Sequence, residues 1–546
     1  MQNNANSPAV WAGYTISGDG IIMAIGIWLT VGFGIALAAL AVRDIIQRRH
    51  AILRIYPLVG HFRYLLESFG PELRQYIVTS NDEERPFSRN QRRWVYATAK
   101  RQNNQFAFGT DQDLEHSEGA LVIRHHTFPL AQFHPGDAVD QAGYPLPSAK
   151  VMGAARERRH AFRPASIVNV SGMSFGALSG VAVEALNRGA HLAGCLHNTG
   201  EGGLSPYHHN GADIVFQIGT GYFGCRDEHG AFSLAALKRT LDSGAPVRAL
   251  EIKLSQGAKP GLGGLLPGVK VTPEIASTRG IRPGIDCKSP ARHGAFSDID
   301  TLLDFVEHLA DATGLPVGIK SAVGDPDFWE TLASLMASGQ RGVDFITVDG
   351  GEGGTGAAPL VFTDRVALPF KAAFPLVYKI FHQHGLTSRV TFIGSARLGL
   401  PDAALWGLAM GCDLINVGRE ALLAIGCIQS QKCHTGRCPT GITTHTPWRT
   451  RGLDPALKSV RTANYLIGLR RELTALARAC GEIHPALIGL ERLALVENGY
   501  RIQDLQHILD YAPGMGLPGV AARGELDELM RPLFEDRLRT PTTQVS

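Results

Sequence analysis

Three cysteines, Cys427, Cys433 and Cys438, lie within twelve residues, and a proline follows the last of them. Three thiolates so close together can bind one inorganic centre. An iron–sulfur cluster fits the pattern, because cysteine thiolates hold such clusters and a proline often follows the last ligand. With three local ligands, a three-iron cluster is favoured over a four-iron cubane. Two alternatives stay open. One is a zinc site with His434 as fourth ligand, although zinc sites usually use shorter C-x2–4-C hooks. The other is that the three residues are buried free cysteines.

Two glycine-rich segments, Gly394–Gly399 and Gly418–Leu422, have the composition of phosphate-binding loops. In many barrels of alternating strands and helices a phosphate binds after the last two strands, on backbone N–H groups and a short helix N-terminus. Glycine lets a ligand approach the backbone closely, and Arg397 or Arg419 would add positive charge. Turns in any barrel also use glycine, so these segments indicate a phosphate site only in combination with other features.

Two further segments, Gly219–Gly224 and Gly351–Gly356, match the G-x-G-x-x-G spacing of dinucleotide sites. Such a site needs its third glycine to open a helix within a βαβ unit. The first match runs into a loop-like segment, Cys225–Gly230, and the second into Ala357–Pro359. We therefore expect no internal NAD(P)H domain, and we expect electrons to arrive through the cysteine cluster.

Short apolar runs alternate with helical stretches from residue 165 onwards, and Ala177–Arg188 and Ser297–Ala312 are examples of the latter. Such alternation predicts a parallel sheet with helical crossovers. Eight units predict an α/β fold with a closed (β/α)8 TIM barrel; an open doubly wound sheet is the alternative. The predicted strands are Ile167–Val170, Leu192–Asn198, Asp213–Ile218, Arg248–Leu254, Val317–Ser321, Phe345–Val348, Val390–Ile393 and Leu414–Val417.

The predicted barrel domain, with its cysteine loop, covers residues 161–450 and has helical additions at both ends. Residues 43–160 form a helical and irregular lead-in, with helical spacing at Phe62–Ile77. Residues 451–546 form a C-terminal helical extension. Its predicted helices are Ala456–Cys480, Pro485–Asn498 and Ile502–Tyr511.

An uncharged segment, Ile21–Val42, precedes the lead-in. As a helix it would measure about 33 Å, enough for a bilayer core of about 30 Å. A signal peptide is disfavoured, because no Lys or Arg precedes the segment and the apolar run is too long. Arginines follow it, so the positive-inside rule places the short tail 1–20 outside and the rest in the cytoplasm. We therefore expect a single-pass protein of the cytoplasmic (inner) membrane.

The composition excludes several classes of protein. The chain has 546 residues, of which 44% are hydrophobic and 63 are glycine, and a net charge of +3. This balance excludes disorder and collagen and argues against nucleic acid as a partner. The eight cysteines are too sparse for a disulfide scaffold.

Several long motifs between residues 165 and 445 resemble the FMN-binding glutamate synthase family, in particular its stand-alone, membrane-anchored bacterial branch. The motifs are Met173–Ser179, Asn198–Gly203, Glu251–Gly261, Gly353–Ala357 and the C-x5-C-x4-C-P cysteine run. The resemblance implies a barrel that binds FMN and a 3Fe–4S cluster, with the three cysteines as cluster ligands.

The resemblance also implies roles for individual residues. Lys320 matches the family lysine beside the flavin ring, where a cation stabilises the anionic reduced flavin. Lys253, Lys259 and Arg279 match residues near the 2-oxoglutarate or 2-iminoglutarate site, where arginine can bind a carboxylate bidentately. Glu201 matches an acid near the flavin that could handle a proton; a loop-capping role is the alternative. The other flavin-binding positions are Ser174, Gln217, Gly353, Gly354, Gly394, Ser395, Gly418 and Arg419.

The reaction implied by the resemblance is reductive formation of L-glutamate from 2-oxoglutarate and ammonia. The family's glutaminase and β-helix domains have no counterpart in this sequence, and Gly261–Leu265 carries leucine where the family typically has Glu and Gln. We therefore expect an external electron donor, a ferredoxin or a reductase subunit, and a separate nitrogen source such as a glutaminase subunit. The rivals are an N-methylglutamate synthase-type enzyme and a membrane module that only relays electrons.

Overall fold

The computed structural model describes residues 18–533, except 48, 104, 106–108, 111, 115–116 and 498–500. The chain divides into two compact units, Met1–Arg89 and Asn90–Ser546. The division falls inside the predicted lead-in 43–160. Most of the predicted tail 1–20 lies outside the described residues.

The first unit is built from helices. Its first helix, Gly18–Ile46, contains the predicted segment Ile21–Val42. The stretch Ile25–Ile46 has a mean hydropathy of 2.2, with none of its most apolar part buried, so its length and composition suffice to cross a membrane.

Three further helical segments follow in the same unit. They are Ala51–Ile55, Gly60–Leu73 and a π-helical continuation, Arg74–Val78. The helical spacing predicted for Phe62–Ile77 is therefore confirmed.

The second unit contains a closed barrel of eight parallel strands. Each strand pairs with the next one in the chain, and the eighth pairs with the first. This order confirms the (β/α)8 barrel and excludes the open sheet. The strands are β1 Val168–Val170, β2 His197–Asn198, β3 Ile214–Ile218, β4 Val247–Lys253, β5 Val317–Ser321, β6 Phe345–Asp349, β7 Thr391–Ser395 and β8 Leu414–Val417.

Two predicted strands differ from the observed ones by two residues or more at one end. The second strand was expected at Leu192–Asn198, but the preceding helix continues to Ala193 and ends at Gly194 in the left-handed conformation, with φ of 64°. Such a glycine cap is a common helix stop, and it leaves only His197–Asn198 to pair. Strand β7 runs two residues further than expected, so Gly394 and Ser395 belong to the strand instead of the following loop.

The barrel interior is filled with side chains. A central cavity of only 10 Å³ remains, lined by Met152, Val170 and Phe345 among others. A space of that size holds about one water molecule, so a ligand must bind at an end of the barrel. The surrounding helices are Gly180–Ala193, Leu234–Leu241, Ile299–Thr313, Pro326–Ala337, Phe370–Gln383, Pro401–Ala409 and Arg419–Ala424.

A long excursion separates β4 from the helix Ile299–Thr313. It contains a helix, Pro273–Arg279, and two short antiparallel strands, Leu265–Leu266 and Cys287–Lys288. Gly264 of the excursion approaches the Glu201 carboxylate, because a Cβ there would lie 3.3 Å from Oε1. The excursion therefore lies over the carboxyl ends of the strands.

The C-terminal region begins with a long helix, Pro455–Ala479, as expected. The helix predicted at Pro485–Asn498 is wrong: short 3-10 turns lead into a strand, Leu493–Val496, that pairs with Leu121–Ile123. The predicted helix Ile502–Tyr511 also starts as a strand, Ile502–Asp504, before the short helix Leu505–Ile508. The first of these pairings joins segments far apart in sequence, which local propensity cannot indicate.

Candidate active site at the carboxyl end of the barrel

Two lysines stand side by side at the carboxyl end of the barrel. Lys253 ends β4 and Lys320 lies near the end of β5, and the two residues are paired in register. Residues in register on neighbouring parallel strands point to the same face of the sheet. The structure therefore brings together two positions that the sequence placed 67 residues apart.

Lys320 is buried in a negative environment. Its Nζ lies 3.2 Å from the Asp349 carboxylate at the end of β6. Burial disfavours the ammonium, but Asp349 and Glu251 outweigh it, so the pKa of Lys320 is raised. Lys320 therefore keeps its positive charge at neutral pH.

Glu251 lies at the centre of a hydrogen-bond network among the strands. One oxygen accepts from Asn198 Nδ2 of β2 at 2.8 Å and from Gln217 Nε2 of β3 at 2.6 Å. The other accepts from Thr347 Oγ1 of β6 at 2.7 Å. A buried carboxylate with three donors is well satisfied, and it holds four strand ends, including its own β4, in a defined arrangement.

Glu201, in the loop after β2, pairs with Lys253 at the end of β4 and with Lys259 in the loop that follows. Its Oε1 lies 2.9 Å from Lys253 Nζ and 4.0 Å from Lys259 Nζ. Burial opposes ionisation, but these lysines outweigh it and lower the pKa of Glu201 to about 2. In this arrangement Glu201 is a carboxylate that organises the two lysines, and it holds no proton to donate at neutral pH.

Lys259 and Arg279 are the other two cationic side chains near Glu201. Lys259 is buried, and burial lowers its pKa in spite of the nearby Glu201. Arg279 donates to the Phe175 carbonyl at 2.9 Å and lies over the Phe223 ring. It acts on Glu201 only through space, and its expected bidentate contact with a substrate stays a prediction.

The cluster of Glu201, Lys253, Lys259 and Arg279 is called the cationic pocket below. One carboxylate faces three cationic side chains, so with all of them charged the sum is −1 + 3 = +2. Unbalanced buried charge is costly unless a counter-ion arrives. The pocket therefore suits a small molecule that carries two negative charges.

The glycine segments after β6 and β8 approach each other. Arg419, which begins the helix Arg419–Ala424, donates to the Glu352 carbonyl and packs against Gly354. Gly353, one residue earlier, donates its N–H to the Gly350 carbonyl at 3.1 Å. A Cβ at Gly418 would meet only Ser171, at 3.7 Å, so space remains beside its backbone.

The other expected flavin positions have different surroundings. A Cβ at Gly394 would meet Leu398, Phe370 and the Cys412 sulfur, so this glycine permits close packing of the helix layer. Ser395 is buried at the end of β7. Ser174 follows β1, and its N–H lies so near Gly200 that a Cβ on Gly200 would come within 2.6 Å.

The three cysteines lie in the loop that follows the helix Arg419–Ala424. Among the described residues, no group of three or more His, Cys, Asp or Glu side chains is arranged to hold a metal ion. The thiols are nevertheless electrostatically coupled. Burial, together with nearby Cys433 and Cys438, raises the pKa of Cys427 to about 11. Burial also opposes ionisation of Cys438, but hydrogen bonds from Thr440 and Thr443 outweigh it and lower that pKa.

The cysteine loop contacts the glycine loop after β6. A Cβ at Gly356 would lie 3.5 Å from Cβ of Cys433. Lys270, from the excursion after β4, donates to the carbonyls of Cys433 at 2.8 Å and Thr443 at 3.0 Å. The thiols are thus held beside a loop that also borders Arg419.

Sequence reasoning did not single out Glu251, Asn198, Thr347 or Asp349 as site residues. Glu251 lies two positions before Lys253 in an apolar strand, so the two share one face. Asp349 ends the strand Phe345–Asp349 in the same way. A search for charged residues on the inward face of predicted strands would have found both carboxylates.

Comparison with known proteins identifies the family. Residues 145–482 match the family model described as a conserved region in glutamate synthase. The chain is 36% identical over 501 residues to a glutamate synthase large subunit-like protein of Bacillus subtilis, covering 86% of this chain and 93% of that protein. It is also 35% identical to an archaeal glutamate synthase [NADPH] of Methanocaldococcus jannaschii, over 58% of this chain and 59% of that protein. The chain thus spans about three fifths of the archaeal relative.

Among solved structures, one similar chain is a mandelate oxidase. It has a TM-score of 0.37 and 14% identity, and the match covers 70% of this chain and 93% of that chain. This structural similarity is too low to support a function, and the fold is assigned from the strand pairing. Family membership rests on the sequence matches, which cover more than half of the chain. The chain therefore belongs to the glutamate synthase family, and it is an oxidoreductase that acts on CH–NH2 donors.

Proposed function

We propose that this enzyme reduces 2-iminoglutarate, formed from 2-oxoglutarate and ammonia, to L-glutamate with FMN and a 3Fe–4S cluster. The observation that carries the proposal is the cationic pocket beside Lys320. At neutral pH 2-oxoglutarate has two ionised carboxylates, which balance the pocket's summed charge. Lys253, Lys259 and Arg279 would bind these carboxylates, and Glu201 would hold the two lysine ammonium groups in place.

The residues around Lys320 fit a flavin. Bound FMN would supply the hydride to C2 of the imine. Lys320, held cationic by Asp349 and Glu251, would stabilise negative charge on the reduced ring. The space beside Gly418, with Arg419 nearby, fits a phosphate better than Gly394 does, because Gly394 packs against side chains.

The three cysteines fit thiolate ligands of an iron–sulfur cluster. Cys427 accepts a hydrogen bond from the Gln429 N–H at 3.4 Å, and Thr440 lies 3.5 Å from the Cys438 sulfur. Hydrogen bonds to sulfur are a recognised feature of such clusters. The contact of Cys433 with the loop after β6 supports a position between an external electron donor and the flavin.

The apolar helix supports a membrane location. We propose that the stretch Ile25–Ile46 crosses the cytoplasmic membrane once and leaves the barrel in the cytoplasm. A ferredoxin or a reductase subunit would then deliver electrons there, and ammonia would come from solution or from a separate glutaminase subunit.

The decisive experiment records the flavin spectrum of the purified holoenzyme during anaerobic addition of L-glutamate. We expect glutamate to reduce the flavin, because oxidation of the amino acid is the reverse of the proposed step. A Lys259→Met, Arg279→Met double variant should retain FMN and lose this response. A wild-type spectrum that does not change with glutamate would mean an electron relay without amino-acid chemistry.

Two measurements test the finer parts of the proposal. Turnover with ammonia against methylamine separates glutamate formation from N-methylglutamate formation, and we expect ammonia to be preferred. For the cluster, Cys433→Ser should lower the iron content and abolish the EPR signal of an oxidised three-iron cluster. Cys412→Ser, at a buried cysteine outside the loop, is the matched control. Unchanged iron in Cys433→Ser would refute the ligand assignment.

A further inference from the structure

The first unit carries an exposed apolar stripe on one helix. We call Gly60–Val78, the α-helix together with its π-helical end, the juxtamembrane helix. At about 100° per residue six of its large apolar side chains fall within an arc of about 120°, and Val78 at its π-helical end lies outside that arc. The exposed fractions are Phe62 61%, Leu65 51%, Leu66 50%, Phe69 56%, Leu73 45% and Ile77 71%.

The N-terminal end of the same helix is held against the end of the apolar helix. His61 Nε2 lies 2.9 Å from the carboxylate of Asp44, which also accepts from the Leu58 N–H at 3.1 Å. Asp44 is 2% exposed and lies in the last turn of Gly18–Ile46. The Tyr64 ring contacts His50 at 5.4 Å. The juxtamembrane helix therefore begins within hydrogen-bond reach of the point where the apolar helix ends.

We propose that the juxtamembrane helix lies in the lipid–water interface of the membrane, with its apolar stripe among the acyl chains. This inference rests on the proposed membrane location, since a spanning helix that ends at Ile46 places His61 at headgroup depth. The helix cannot cross the bilayer itself, because Arg63, Glu67 and Arg74 interrupt it. An amphipathic helix with a wide apolar face and charged opposite face binds at the interface.

The charged residues around the start of the juxtamembrane helix also favour a lipid surface. Between residues 43 and 66 the sequence carries five arginines, and its one acidic residue, Asp44, is buried. The arginines are Arg43, Arg48, Arg49, Arg54 and Arg63. Basic residues beside a membrane are attracted to anionic lipid headgroups. The charges of the helix itself cancel, with two arginines against Glu67 and Glu72, so the positive charge for the headgroups comes from the segment that precedes its apolar face.

Photocrosslinking in the intact, membrane-embedded protein tests the proposal. Phe69 is replaced by p-benzoylphenylalanine, which preserves the aromatic ring, and the chain is irradiated in membranes that contain radiolabelled phospholipid. The matched control places the same probe at Ser68, which lies outside the stripe, about 100° around the helix from Phe69. We expect several-fold more labelled phospholipid on the chain from position 69 than from position 68.

Two results would overturn the proposal. Crosslinks from position 69 to peptides of residues 90–546, or to a second copy of the chain, would mean that protein covers the stripe. Equal lipid labelling from positions 68 and 69 would mean that the apolar stripe does not determine which side of the juxtamembrane helix faces the lipid. A probe at Phe33 of the apolar helix separates this failure from failure of the membrane location: label at 33 and none at 69 refutes only the interfacial helix, and label at neither refutes both.

Discussion

Two lysine–carboxylate groups lie next to each other at the carboxyl end of the barrel and have opposite charge balance. Around Lys320 one cation faces two carboxylates, Asp349 and Glu251, and its pKa is raised. In the cationic pocket one carboxylate, Glu201, faces the lysines Lys253 and Lys259, and the pKa of Lys259 is lowered. The same pair of residue types is thus used in opposite ratios on neighbouring strands.

The difference separates a structural charge from a charge available to a ligand. Lys320 is compensated within the protein, so it remains charged without help and suits a permanent role beside a cofactor. Lys259 is under-compensated, so it gains most when an anion arrives. The prediction is that the first group stabilises the fold, whereas the second binds substrate at some cost to stability.

The largest expected effect comes from Lys320→Met. It leaves the buried carboxylates of Asp349 and Glu251 without their cation, and breaking a buried ion pair by removing one partner costs about 3–5 kcal/mol. Chemical denaturation should show this loss, together with reduced flavin content. Adding Asp349→Asn should recover part of the stability. A single variant as stable as the wild type would remove the distinction between the two groups.

Lys259→Met should weaken substrate binding without lowering stability, the opposite of Lys320→Met. A charge-assisted hydrogen bond contributes about 1.5–3 kcal/mol, so the dissociation constant for 2-oxoglutarate should rise about 10- to 150-fold. Unfolding free energy should stay level or rise, because repulsion within the pocket falls. Lys238→Met, at an exposed position of the outer helix Leu234–Leu241, is the control that should change neither. Unaltered affinity would contradict the substrate role.

Gly257→Ala tests how Asp349 is held beside Lys320. The Gly257 N–H donates to Asp349 Oδ2 at 2.8 Å, and a Cβ at this position would lie 1.9 Å from the Gly350 carbonyl oxygen. The loop must move, at a cost of about 1–3 kcal/mol, and Asp349 loses a donor. Gly294→Ala, where a Cβ would meet nothing within 4 Å, should be neutral in the same denaturation assay. Equal stability of both variants would show that the contact is dispensable.

The smallest expected effect is a shift in pH dependence. Lys259 must be cationic to bind a carboxylate, and its pKa lies below the usual 10.5, so affinity for 2-oxoglutarate should fall as pH rises through that lowered value. Lys259→Arg should move the loss to higher pH, because arginine stays protonated beyond pH 12. Affinity measured across the alkaline range by calorimetry checks this. An identical profile in the variant would assign the titration to another group.

Much of the fold follows from local patterns. Short apolar runs that alternate with helical stretches located all eight strands, and β5 and β8 match their predicted bounds. Predictions failed where a distant partner decides the outcome: Leu493–Val496 is a strand because Leu121–Ile123 lies beside it. Leu192 was assigned to a strand, although it lies in the helix Gly180–Ala193, because the helix stop at Gly194 was not recognised.

The site was predicted less completely than the fold. Lys253, Lys259 and Lys320 were named from motifs, and the structure places all three at one end of the barrel. Their partners Asp349 and Glu251 were not named as site residues: Asp349 lies outside the quoted motifs, and the motif that Glu251 opens does not show which side chains it meets. Gly394 was placed in a loop, whereas it lies in β7 against the helix layer.

The sequence by itself determined the residue types that can do the chemistry, the number of strand–helix units and the apolar helix, because each is a local property of composition or spacing. Only the tertiary structure decided the charge balance of each lysine. That balance depends on which carboxylates the closed barrel brings near each lysine, and Glu201, Glu251 and Asp349 come from three different segments of the chain.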